Sequence, residues 1–99
     1  MEDKKKWIVT SIKKDMIIYS TEKAHLVQLK KGKHKDWKCW IKKSFFKDSE
    51  KKGYYELVLP VMMAEDDFIL HIYKEEKQES TYHVIDEENV TSEEFISLL

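Results

Sequence analysis

The hydrophobic pattern of this chain is one of short apolar runs divided by polar punctuation, which predicts strands and turns over long helices. Residues 7–13, rich in β-branched side chains from Trp7 onward, predict a strand that Asp15 interrupts. Residues 16–19 are a short apolar run and predict a second strand, followed by a turn over 20–23 and a third strand over 24–30. Residues 31–36 hold Gly32 and no apolar side chain, and predict a hairpin loop. The next strand runs over 37–46. Its alternation places Trp37, Cys39 and Ile41 on one face and Lys38, Trp40 and Lys42 on the other. After a polar loop over 47–53, residues 54–59 predict a strand ended by Pro60, which cannot donate to a ladder. Helix formers over 61–67 predict a short helix, residues 68–73 a strand, 74–80 a charged loop and 81–85 one more strand. Thr91 and Glu94 have the spacing of a capping box, with Phe95, Ile96, Leu98 and Leu99 supplying the apolar stripe of a C-terminal helix.

These elements predict an α+β, mainly β, single domain over residues 1–99. The expected form is a small partly closed β-barrel or a strongly bent antiparallel sheet, with a short helix after Pro60 and a helix at the C-terminus. The expected core is Ile8, Val9, Ile12, Ile17, Leu26, Leu29, Ile41, Leu57, Leu59, Ile69 and Ile72. It is small, so dimerisation would help stability.

Composition narrows the class. At 99 residues, 41% hydrophobic and 12% aromatic, the chain is too apolar for a disordered tail and too short for two cores. No apolar run approaches the roughly 20 residues of a membrane span, and the stretch after Met1 is too short for a signal peptide. The single Cys39 leaves a cytoplasmic address as the expectation.

The formal charge of −1 hides a division. Residues 1–52 hold 16 Lys and 7 acidic residues, for a charge of +9; residues 53–99 hold 2 Lys and 12 acidic residues, for −10. Arginine is absent. Lysine is a hydrated point charge without the bidentate fork that grips guanine edges. A nucleic-acid surface built here would therefore be electrostatic and tolerant of sequence.

Three segments carry a partial likeness: Ser20-Thr-Glu-Lys-Ala24, Trp40-Ile-Lys-Lys-Ser44, and Glu56-Leu-Val-Leu-Pro60 with Met63-Ala64 after it. Over about residues 19–65 the chain resembles small uncharacterised proteins of bacteriophages and mobile elements, in which a similar first segment precedes Trp-Ile-Pro-Lys-Ser and a Pro-x-Trp-Leu-Ala turn. Lys42 stands where that pattern has proline and Met62 where it has tryptophan. The resemblance implies a turn, a barrel strand and a corner, a phage or mobile-element origin in the cytoplasm of a bacterial host cell, and no active site.

Catalytic chemistry finds little footing. Cys39 alternates with Trp37 and Ile41 and reads as a small buried residue. His34, Asp36 and Cys39 lack the further close partners a zinc site needs, and no metal or other cofactor is expected. Glu65, Asp66 and Asp67, and then Asp86, Glu87 and Glu88, form acidic clusters that a metal-dependent nuclease would use; solvated loop acids are the commoner case. Two glycines build no phosphate-cradling loop.

The strongest functional signal is residues 30–52, where ten lysines are interleaved with Trp37, Trp40, Phe45 and Phe46. Single strands are held by a basic groove and aromatic platforms. The candidate interface is Lys33, Lys35, Lys38, Trp40, Lys42, Lys43 and Phe45. Trp40 is a platform if its face is open to water and core if another element covers it. The expected function is a non-catalytic, sequence-tolerant module for single-stranded nucleic acid. The alternative is a small inhibitor of a host protein, using Glu65, Asp66, Asp67, Glu87 and Glu88 as a nucleic-acid-mimicking surface.

Overall fold

A computed structural model describes residues 6–61 and 68–99. Within them, eight strands form two antiparallel sheets and one helix closes the chain. The strands are β1 (Lys6–Lys13), β2 (Ile17–Ser20), β3 (Ala24–Gln28), β4 (Lys38–Lys42), β5 (Phe46–Asp48), β6 (Tyr54–Val61), β7 (Ile69–Gln78) and β8 (Thr81–Thr91); the helix is α1 (Ser92–Ser97). One sheet has the order β1-β6-β5, the other β2-β3-β4-β7-β8.

Among the described residues the chain crosses between the sheets at two single-turn 3-10 corners, Lys14–Met16 after β1 and Lys43–Phe45 after β4. The second corner corrects the single strand expected over 37–46. Phe45 and Phe46 are consecutive and both pack against the core, which strict alternation forbids. Turning the backbone between β4 and β5 resolves the conflict and sends β5 to the smaller sheet.

The core lies between the sheets. Ile12, Leu57 and Leu59 from the smaller sheet meet Val27, Cys39, Ile41 and Ile72 from the larger. Trp37 and Leu29 extend it, with the Trp37 carbonyl accepting from the Leu29 N–H at 2.8 Å. Helix α1 joins the same core. The Thr91 hydroxyl accepts from the Glu94 N–H at 3.1 Å and the Glu94 carboxylate accepts from the Thr91 N–H at 2.8 Å, completing the expected capping box. Phe95 is then fully buried.

Other expectations need correction. Pro60 lies within β6, opposite Trp7. Strand β5 ends its pairing with β6 at Leu57, so past that point the second side of β6 meets α1. There the Pro60 carbonyl accepts from the buried Ser92 hydroxyl at 2.6 Å, and the missing N–H costs the β1 ladder nothing. The charged loop expected over 74–80 is mostly strand: β7 runs to Gln78 and turns through Glu79 and Ser80 into β8. Residues 74–80 are all polar or charged and carry no hydrophobic signal, while the strand expected over 81–85 is found within β8 with its side chains exposed. Asp86, Glu87 and Glu88 belong to β8 and not to a loop. Val9 and Ile69, expected in the core, point outward. The short helix after Pro60, with Glu65, Asp66 and Asp67, falls outside the described residues. Among the described residues no helix is long and apolar enough to cross a membrane.

Candidate functional site

The face of the five-stranded sheet that looks away from the core collects most of the exposed aromatic surface. Directly paired residues share a face, so the pairings Tyr19↔Leu26, Leu26↔Trp40, Lys38↔Tyr73 and Tyr73↔Glu87 trace it from β2 to β8. The alternation expected in β4 holds. Trp37, Cys39 and Ile41 are buried, while Trp40 is 41% exposed and Lys42 is open to water.

Trp40 stands edge-on to Tyr19, with ring centroids 6.2 Å apart, and the two rings flank Leu26, which keeps only 8% of its surface exposed. The indole also lies against the Tyr73 hydroxyl. Burial, and after it the charge of Glu75, raises the Tyr73 phenol above its ordinary value. The row is therefore firmly backed and wet on top, as a stacking platform must be.

The seven residues of the predicted interface do not all meet. Trp40 and Lys42 share the outer face. Lys38 shares it too, but donates to Glu75 at 2.8 Å with both side chains largely covered. Lys43 opens the 3-10 corner beside His25; desolvation, then the Lys43 charge, hold the His25 imidazole below its ordinary value. Phe45 packs edge-on against Phe68 at 5.4 Å. Lys33 and Lys35 lie in the loop before β4, where the 3-10 turn Gly32–His34 buries His34 against Trp37. His34 Nε2 is 3.0 Å from the Glu88 carboxylate, so Glu88 ties loop to ribbon. Glu87 reaches His71 at 2.8 Å on the outer face.

Sequence reasoning missed Tyr19, Tyr73, Ile69 and His71 as members of this face. Strand alternation alone would mark them as one side of their strands; which strands adjoin β4 is set by topology. It also missed a cleft of about 340 Å³ at the β1–β2 corner, where Lys13, Lys30 and Lys31 gather around Tyr54. Asp15 shares that cleft, 4.0 Å from Lys30.

Cys39 is fully buried and its thiol is pushed up to about 12 by desolvation. Among the described residues no three His, Cys, Asp or Glu side chains converge. No family model matches the chain, and neither the curated proteins nor the solved structures contain a match to it.

Proposed function

We propose that this protein is a non-catalytic, sequence-tolerant binder of single-stranded nucleic acid that stacks bases on the outer face of its larger sheet. The observation that carries the reading is Trp40, a large ring held open to water on a strand face that it shares with Lys42. Tyr19, 62% exposed beside it, doubles the platform. With Lys38 neutralised by Glu75, the phosphates would track the Lys42 end, where the exposed Lys23 of the β2–β3 turn adds a second ammonium group. In the same reading the two sheets, joined through the Lys14–Met16 and Lys43–Phe45 corners, are the halves of a partly closed barrel. The setting would be the cytoplasm of a bacterial host carrying a phage or mobile element.

Fluorescence anisotropy with a labelled single-stranded oligonucleotide tests this. Affinity that is micromolar or better at about 50 mM salt and falls steeply with added salt supports it. Affinity no better than millimolar at that salt overturns it. One observation favours a second reading, a host-protein inhibitor: on the β8 side of the same face Glu87 is exposed and reaches His71. A specific partner captured from host lysate, lost on Glu87→Lys, would move the assignment to that reading.

A further inference from the structure

Strands β1 and β5 border the smaller sheet, and β2 and β8 the larger. Two of these edges are short, β5 with three residues and β2 with four, as exposed edges usually are. The other two are long. β1 has eight residues and β8 eleven, and among the described residues β1 pairs only with β6 and β8 only with β7.

The ladders decide which backbone groups these edges leave open. The Lys14 N–H donates to the Gly53 carbonyl at 2.9 Å, beside the pair Lys13↔Tyr54. By alternation Ile12, Thr10 and Ile8 bond to β6, while the N–H and C=O groups of Ser11, Val9 and Trp7 face outward. Pro60 agrees, since it stands opposite Trp7, where β1 needs no N–H from it. In the β7–β8 ribbon the two-residue turn Glu79–Ser80 is closed by the pair Gln78↔Thr81. Such a closing pair exchanges its hydrogen bonds, so Thr81 and His83 bond to β7, and Tyr82 and Val84 turn theirs outward.

Both edges carry apolar side chains at these open positions: Trp7 is 53% and Val9 58% exposed, Tyr82 61% and Val84 51%. Toward the C-terminal end both become charged, with opposite signs. β1 ends at Lys13, which shares a cleft with Lys30 and Lys31. Asp15 approaches Lys30 there, but among the described residues no acid pairs with Lys13 or Lys31. Past a bulge at Ile85, β8 continues into Asp86, Glu87 and Glu88, of which the last two meet only His71 and His34. Like charge opposes β1 against β1 and β8 against β8, whereas opposite charge favours β1 against β8. Within one chain these edges belong to different sheets, so the match is open to a second copy.

We propose that the β8 edge of one copy adds to the β1 edge of another. A parallel alignment sets Tyr82 and Val84 beside Trp7 and Val9 and carries the acids of β8 toward the lysines of the cleft. Backbone hydrogen bonds supply the attraction and the side chains fix the direction. Each copy holds both edges, so a two-fold related pair forms the contact twice.

Sedimentation velocity from micromolar to millimolar protein, at about 0.1 M salt, should show mass rising above the monomer with concentration. Lys13→Glu/Lys31→Glu and Asp86→Lys/Glu87→Lys should each weaken self-association at least about tenfold, since like charges then face each other. An equimolar mixture of the two variants should associate as the parent does, because both of its contacts again join opposite charges. Val9→Pro removes an N–H that β6 does not use, so it should abolish association and leave the circular dichroism spectrum unchanged. A monomer throughout the range overturns the proposal. So does association that survives either charge reversal or a folded Val9→Pro, or that mixing fails to restore. If Val9→Pro does not fold, the charge variants still decide.

Discussion

Replacing Trp40 by alanine separates what the ring does for the sheet from what it does for a ligand. The indole is 41% exposed, meets Tyr19 at 6.2 Å and shields Leu26. A large aromatic side chain buries about 150–250 Å² when fully covered. With somewhat over half of it covered, roughly 100–150 Å² is at stake, or about 2.5–3.5 kcal/mol at ~25 cal/mol per Å². Loss of the edge-to-face pair adds about 1 kcal/mol. A domain of this size is stable by about 5–15 kcal/mol, so the variant should remain folded near 15 °C, where stability peaks. Binding carries a separate loss. One base stacked on an aromatic ring contributes about 1–3 kcal/mol, so Kd should rise about 5- to 150-fold. The salt dependence of log Kd should not change, because no lysine is removed. Anisotropy with a labelled oligothymidylate gives both quantities, and circular dichroism at the same temperature gives the folded fraction. A folded variant that binds within about twofold of the parent refutes the platform, since stacking predicts more than that at its weakest.

Three further outcomes follow from the fold. Asp36 has φ 75° while its N–H donates to the Leu29 carbonyl at 2.8 Å; Asp36→Gly should relieve left-handed strain and raise the urea midpoint by a net equivalent of about 0.5–1 kcal/mol at unchanged m. Thr91→Ala removes the side chain that accepts from the Glu94 N–H and should cost about 0.5–2 kcal/mol in the same assay, with Thr91→Ser largely restoring it. Alkaline stability should fall because the buried Cys39 thiol is raised from 9.0 to about 12. Below pH 9 both folded and unfolded states hold the proton and nothing is lost. Between 9 and 12 the unfolded thiol ionises first, removing about 3–4 kcal/mol by the upper end. Urea midpoints across that range should decline less steeply in Cys39→Ala, with the raised Tyr73 phenol supplying the remaining fall in the same direction.

The legible parts of the sequence were those fixed by local rules. Alternation in β4 separated Trp37, Cys39 and Ile41 from Trp40, and the spacing of Thr91 and Glu94 identified the cap of α1. Where a residue's fate depends on a non-local partner, the pattern misled. Val9 and Ile69 are as apolar as Ile12 and Ile72 but fall on the outward side of their strands. The β7 arm of the ribbon, from Lys74 to Gln78, was hidden for the opposite reason. Its side chains are all polar or charged, so nothing in them distinguishes strand from loop and the backbone ladder makes it strand, whereas the apolar Tyr82, Val84 and Ile85 had already marked the facing strand. The candidate site divides in the same way. Trp40 and Lys42 could be found from one strand, whereas Tyr19, Ile69 and His71 join them only through the order β2-β3-β4-β7-β8.

That order also explains what the charge division does. The basic half of the chain ends with β5 and its loop, and the acidic ribbon is β7 and β8, so the two halves meet along β4 and β7 in one sheet. This line has two paired positions, the fewest of any in the larger sheet, and side chains from opposite halves cross it on both faces. Lys38 reaches Glu75 on the outer face, and His34 reaches Glu88 on the inner one. Both contacts lie toward the Lys38–Tyr73 end of the line, where the strands are joined. Toward Lys42 and Ile69 no such pair is formed among the described residues, and there the strands part. Opposite charge thus holds the sheet together at the end where backbone pairing begins, and the end without it is the one left open beside Trp40.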